Sequence, residues 1–126
     1  MITIITRLPR TRPDRGTYYT SYVNHMWNLY ISHIDQCPPY ASVIDRSDWD
    51  ICRQVYAELR SFEQALVRAY YHPDRASRND TFRACYENAG ISEQNAYIIL
   101  NAITRTVAEK RGLIAPRGPR QQEVPQ

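Results

Sequence analysis

The chain has few glycines, a single lysine and no long apolar run. Four glycines among 126 residues leave little material for the glycine-rich loops that cradle phosphate groups in many enzymes. No apolar run approaches the roughly 20 residues that a membrane-spanning helix needs. The sequence also shows no cluster of metal ligands and no nucleophile motif. It therefore predicts a non-enzymatic protein with no cofactor and no metal.

Cysteine is scarce as well. The three cysteines lie inside apolar stripes and form no C-x-x-C pair: Cys37, Cys52 and Cys85. The apolar stretch Ile2 to Thr6 is far too short for the core of a signal peptide. We therefore expect buried thiols in the reducing cytoplasm. His33 and Cys37 stand one helical turn apart, a spacing that zinc uses, but no motif places two further ligands.

Positive charge is carried by arginine and concentrated near the two ends. Lys110 is the one lysine among 16 basic residues, and the net charge is +3. Residues 1–15 hold two prolines and the four arginines of a predicted flexible basic arm: Arg7, Arg10, Arg12 and Arg15. Such an arm contacts DNA phosphates or the minor groove in one interpretation, and is a solvated terminus in the other. The preference for arginine fits phosphate recognition or a coding bias equally well.

Apolar residues recur at three- and four-residue steps over residues 16–113, which predicts a single all-α domain of four to five helices. The first predicted helix covers residues 17–37 and stops at Pro38 and Pro39. Its aromatic stripe fits a core face, and a base-stacking or partner surface is the alternative. If the stripe is partly exposed between residues 18 and 34, it is the preferred surface for a homodimer.

Capping residues predict where the next helices begin. Ser47 is the expected N-cap of a second helix over residues 47–59, with Asp48 in its first turn. Ser61 is the expected cap of a continuation in which Gln64 closes a capping box. Residues 114–126 contain three prolines and few apolar side chains, so they predict a disordered tail.

The stretch 79–112 predicts a helix-turn-helix. Asp80 caps a helix to about Ala89, whose expected buried face is Phe82, Cys85, Tyr86 and Ala89. Gly90 suits the left-handed conformation that closes a helix. Ser92 caps the next helix, and Gly112 ends it. A short glycine-containing turn between two helices is typical of this motif.

The arrangement resembles the helix-turn-helix of sigma factor region-four-like proteins, including small regulators of phages and mobile elements. The resemblance covers residues 56–113 and is carried by Leu66 to Tyr71, Gly90-Ile91-Ser92 and Val107 to Leu113. It implies a small DNA-binding transcriptional regulator whose second helix enters the major groove. It also implies base or phosphate contacts by Ser92, Gln94, Asn95 and Tyr97, with Asn101 on the same face, and phosphate contacts by Arg105, Lys110 and Arg111.

Two features favour a different use of the same helices. Tyr86 occupies a position, four before the turn glycine, where the motif usually has alanine, and Glu93 begins the second helix. The alternative is a phage-encoded, non-enzymatic protein-binding inhibitor of a host complex, similar to anti-CRISPR proteins. His72-Pro73-Asp74 also resembles the tripeptide of J-domain cochaperones, and ordinary turn chemistry is the alternative there.

Overall fold

The computed structural model describes residues 18–115. Five α-helices lie in this range: α1 (Tyr19–Ser32), α2 (Val43–Glu58), α3 (Ser61–Tyr70), α4 (Arg78–Asn88) and α5 (Glu93–Arg111). A 3₁₀ turn, Arg75–Ser77, leads into α4. The all-α prediction is confirmed for this part of the chain. None of the helices described is long and apolar enough to cross a membrane.

The core lies where α1 crosses α2 and α5, with α3 and α4 completing the bundle. Val23, Met26 and Trp27 of α1 are fully buried, and Leu66 of α3 and Val107 of α5 meet them in one cluster. The core interpretation of the aromatic stripe is therefore confirmed. Its buried members are not free to form a dimer surface.

The first helix ends five residues earlier than predicted, at Ser32. The Trp49 indole N–H of α2 donates to the His33 carbonyl at 2.9 Å. A further helical turn would have supplied a backbone donor for this carbonyl at the end of α1. The Trp49 side chain supplies the donor instead. Residues 33–37 are consequently not helical, and His33 and Cys37 lose the one-turn spacing suggested for zinc.

The second helix begins at Val43, and the predicted N-cap at Ser47 is wrong. Ser42 is the N-cap, and its hydroxyl accepts from the Asp45 backbone N–H at 3.0 Å. The first turn exposes Val43 and Ile44, so it lacks the buried apolar residue that marks most helix starts. Asp48 lies in the second turn rather than the first, and it is buried.

Capping of α3 is displaced by one residue from the prediction. Arg60 is the N-cap, and the Glu63 carboxylate accepts from its backbone N–H at 2.9 Å. Gln64 does not close the capping box. Its amide donates to the Tyr56 carbonyl at 2.8 Å and joins α3 to the end of α2.

Residues 72–78 form a tight hydrogen-bonded turn. The Asp74 carboxylate accepts from the Ser77 hydroxyl and the Ala76 backbone N–H, and these two bonds lower the pKa of Asp74. His72 Nδ1 accepts from the Asp74 backbone N–H at 3.0 Å. The side chains of His72 and Asp74 are thus engaged in turn chemistry. Helix α4 starts at Arg78 rather than after a cap at Asp80.

A buried ion pair joins three helices. The Arg111 Nε of α5 lies 2.6 Å from the Asp48 carboxylate of α2. The Tyr22 hydroxyl of α1 donates to the same carboxylate at 2.8 Å and lies 3.1 Å from Arg111 Nη2. The Asp48 side chain is 1% exposed, whereas that of Arg111 is 29% exposed. Hydrogen bonds to Asp48 and Tyr22 raise the pKa of Arg111.

The unequal burial predicts unequal mutational costs. Arg111→Met leaves the carboxylate buried with only the Tyr22 hydroxyl beside it among the described residues. We expect a loss of about 3–5 kcal/mol in the free energy of unfolding. Asp48→Asn keeps a side-chain acceptor, and Arg111 can turn toward solvent. We therefore expect a smaller loss of about 1–3 kcal/mol in the free energy of unfolding. Urea denaturation of the two variants checks the order, and a larger loss in Asp48→Asn would contradict it.

Candidate functional site at helices α4 and α5

The turn between α4 and α5 is fixed by backbone hydrogen bonds. Gly90 has φ +77°, and its N–H donates to the Glu87 carbonyl at 3.0 Å. The Ile91 N–H donates to the Tyr86 carbonyl at 3.1 Å. This pair of bonds around a left-handed glycine is the Schellman motif. The predicted role of Gly90 is confirmed.

Ser92 is the N-cap of α5, as predicted. Its hydroxyl accepts from the Asn95 backbone N–H at 3.0 Å. The side chains of Gln94 and Asn95 are exposed in the first turn of the helix. Ile98 follows one turn later and is 50% exposed. The structure thus brings two amides and an apolar side chain together on one surface.

Tyr97 lies away from this surface, whereas Asn101 lies along it, two helical turns after Gln94. Both are half-buried, and the Tyr97 ring packs against Phe82 of α4 and Tyr70 of α3, with centroid distances of 5.4 and 6.1 Å. The buried face of α5 includes Thr104 and, one turn later, Ala108. Burial, followed by the nearby Tyr70 and Glu93, raises the pKa of Tyr97.

The three predicted phosphate contacts of α5 differ in exposure and in ion pairing. Lys110 is exposed. The Arg105 Nε lies 3.3 Å from the Glu109 carboxylate, so a phosphate contact there would replace an ion pair. Arg111 is held by Asp48, and a phosphate contact there would compete with the buried pair. The predicted arm with Arg7, Arg10, Arg12 and Arg15 lies outside the described residues, as does nearly all of the predicted tail.

Tyr86 is accommodated without a clash. Its ring meets that of Phe82 edge to face, with centroids 5.2 Å apart. Helix α4 packs mainly against α3 and touches α5 much less, so the crossing that usually requires alanine is not tight here. Ala89, which we expected to be buried, is exposed, and Cys85 is half-buried.

Ile98 and Arg83 are surface residues that the sequence analysis did not select. Ile98 stands two residues from both Ala96 and Leu100, on the side of α5 opposite these buried residues, so its helical position is a signal of exposure. Arg83 is exposed on α4, 3.7 Å from the Asp80 carboxylate, and no sequence signal separates it from an ordinary solvated arginine. Within residues 18–115, no group of three or more His, Cys, Asp or Glu residues is placed to hold a metal ion.

Comparisons with family models, curated proteins and solved structures return no match to this chain.

The left-handed glycine of the turn predicts a defined mutational cost. A Cβ built on Gly90 meets no atom within 4 Å, so Gly90→Ala changes backbone energy without creating a clash. We expect a loss of about 1 kcal/mol in the free energy of unfolding. Gly90→Asn should cost less, because asparagine tolerates this conformation better. Urea denaturation measures both, and an equal loss in the two variants would contradict the backbone explanation.

Proposed function

We propose that the protein is a small DNA-binding transcriptional regulator in which α4 and α5 act as a helix-turn-helix and α5 enters the major groove. The observation that carries the proposal is the start of α5. Two backbone hydrogen bonds of the Gly90 turn and the N-cap bond of Ser92 fix the start of the helix. The side-chain amides of Gln94 and Asn95 are exposed in its first turn. Recognition helices place their first residues against base edges in this way.

The chemistry of this surface suits adenine–thymine readout. An asparagine or glutamine amide donates to and accepts from the adenine edge with two hydrogen bonds. Ile98 supplies an apolar contact of the kind that meets the thymine methyl group. Within the described residues, the side chains of Gln94 and Asn95 have no hydrogen bond to break before they bind a base.

The charge required for DNA affinity comes largely from outside α5. Lys110 is its one exposed cation without an ion pair in the described structure. Neutralised phosphates supply most of the non-specific affinity for DNA. The four arginines of the arm supply that charge in this proposal. Affinity should therefore fall steeply with salt, while the base contacts of α5 set the sequence preference.

Two substitutions separate base contacts from phosphate contacts. We expect Asn95→Ala to weaken binding to a preferred duplex by about 1–3 kcal/mol and to leave binding to random duplexes unchanged. Arg105→Ala should weaken binding to all duplexes alike and reduce the salt slope by about one. Fluorescence anisotropy at several salt concentrations measures both, with duplexes enriched from a random library.

Gln36→Ala is the matched control, because Gln36 is an exposed amide in the loop after α1. Its affinity should equal that of the wild-type protein. Failure of the wild-type protein to bind DNA even at the lowest salt would refute the proposal.

A second function, a non-enzymatic protein-binding module of the anti-CRISPR-like kind, is favoured by a separate surface. Tyr40, Val43 and Ile44 are 80%, 85% and 59% exposed and lie within five residues of one another, at the start of α2. Clustered exposed apolar side chains are typical of protein interaction sites. Tyrosine is also enriched in such interfaces.

Val43→Asp tests this second function. Val43 is the first residue of α2, where a carboxylate complements the helix dipole, so the fold should be retained. If the surface binds a host protein, affinity capture from host lysate should recover a partner with the wild-type chain and lose it with Val43→Asp. Ile98→Asp, the same type of change on α5, should retain the partner. Identical captured proteins for all three chains would contradict a role for the Tyr40, Val43 and Ile44 surface.

A further inference from the structure

A polar cleft of about 260 Å³ opens between α1, α3, α4 and α5, apart from the surface proposed for DNA. Three asparagines line it: Asn24 and Asn28 of α1, and Asn79 of α4. Arg78 supplies a positive charge, and none of the described lining residues is Asp or Glu. The cleft therefore has the electrostatic character of an anion site.

The amides of the cleft are oriented as donors. The Tyr71 hydroxyl donates to Asn24 Oδ1 at 2.6 Å, and Arg78 Nη2 donates to Asn28 Oδ1 at 3.0 Å. Because donors occupy both oxygens, each side-chain NH₂ group points elsewhere. Neither NH₂ group has an acceptor among the described residues. Two amide NH₂ groups, with four N–H donors between them, are thus left for a ligand.

Arg78 is fixed but not saturated. Its Nε donates to the His72 carbonyl and its Nη2 to Asn28. Five N–H donors less these two leave three, including both on Nη1. A guanidinium held in place by two bonds loses less conformational entropy when it binds a carboxylate or phosphate.

Aromatic rings form the apolar wall of the cleft. Phe82 meets Tyr70 and Tyr97 at centroid distances of 5.1 and 5.4 Å. Such a wall favours a flat ring, which packs on aromatic faces and edges. The volume lies below the roughly 300–1,000 Å³ of sites for drug-sized ligands, so the ligand has about one ring.

We propose that this cleft binds a small planar anion, a single aromatic or heteroaromatic ring that carries a carboxylate or phosphate. The ring packs on Tyr70, Phe82 and Tyr97, the anionic group meets Arg78, and ring or carboxyl oxygens accept from Asn24 and Asn28. The chemistry fits an aromatic carboxylate or a pyrimidine nucleotide. The proposal does not depend on DNA binding.

The test uses 4-hydroxybenzoate and uridine 5′-monophosphate as probes, with uridine and inorganic phosphate as partial ligands. Calorimetry of the full chain should give a Kd of about 1 mM or tighter for at least one probe. The same probe should shift the NMR signals of the Asn24 and Asn28 side-chain amides. Binding by 4-hydroxybenzoate alone identifies an aromatic carboxylate, and binding by uridine 5′-monophosphate alone identifies a nucleotide. Binding by both identifies the shared planar-anion chemistry.

Asn79→Asp supplies the decisive variant. It places a carboxylate on the cleft wall without removing a hydrogen bond of the described structure, and its position in the first turn of α4 favours an acid. We expect about tenfold weaker binding of the probe or more. Asn95→Asp makes the same change in the first turn of α5, outside the cleft, and should leave binding unchanged.

Three results would overturn the proposal. The first is that neither probe shifts the Asn24 and Asn28 signals at about ten times the expected Kd. The second is that uridine alone or inorganic phosphate alone binds as tightly as the better probe. The third is that Asn79→Asp and Asn95→Asp weaken probe binding equally. DNA affinity measured on the same samples is a separate readout, so a failure here is distinguishable from a failure of DNA binding.

Discussion

The ion pair between Asp48 and Arg111 fixes how three helices of the bundle meet. A buried carboxylate costs several kcal/mol to desolvate, so it is tolerated only where a cation and further donors reach it. Asp48 meets this requirement with Arg111 from α5 and Tyr22 from α1. Sliding or rotating any of the three helices would leave the carboxylate unpaired. The pair therefore selects one register among the many that the apolar contacts alone would permit.

The pairing of Arg111 with the buried Asp48 also limits the positive charge that α5 presents at its surface. The last turn of the helix contains Lys110 and Arg111, which together look like a basic terminus. Only Lys110 is exposed there. If α5 binds DNA as proposed, the hydrogen-bonding groups of its first turn contribute more to recognition than its charge, and cations elsewhere supply the affinity.

The sequence predicted the helices well and their boundaries less well. Apolar spacing located the core face of α1, and Gly90 and Ser92 located the turn before α5, because these signals act within a few residues. The starts of α2 and α3 were misplaced by competing caps: Ser42 lies before Ser47, and Arg60 before Ser61. Nothing local distinguishes such candidates. The end of α1 depends on Trp49, which a local pattern does not relate to His33.

The pairing of Arg111, one of the phosphate contacts predicted for the candidate site, was only partly predictable for a similar reason. Asp48 falls on the apolar stripe of α2, four residues before Cys52 and seven before Val55, both buried. A carboxylate on a buried stripe signals a buried partner, so its pairing was detectable in principle. The identity of that partner was not, because Arg111 lies 63 residues away.

Tyr97 shows how one helix serves two surfaces. Its side chain leaves the amide face of α5 and enters the cleft, where it meets Tyr70 of α3 and Phe82 of α4. This follows from helical geometry: at about 100° per residue, the Tyr97 side chain lies about 160° around α5 from that of Asn95 and about 60° from that of Gln94. The polar tip of tyrosine made it resemble a surface residue in the sequence, while its ring makes it part of the packed bundle. The amide surface and the cleft therefore share a backbone but not a side chain, so each can be altered without removing the other.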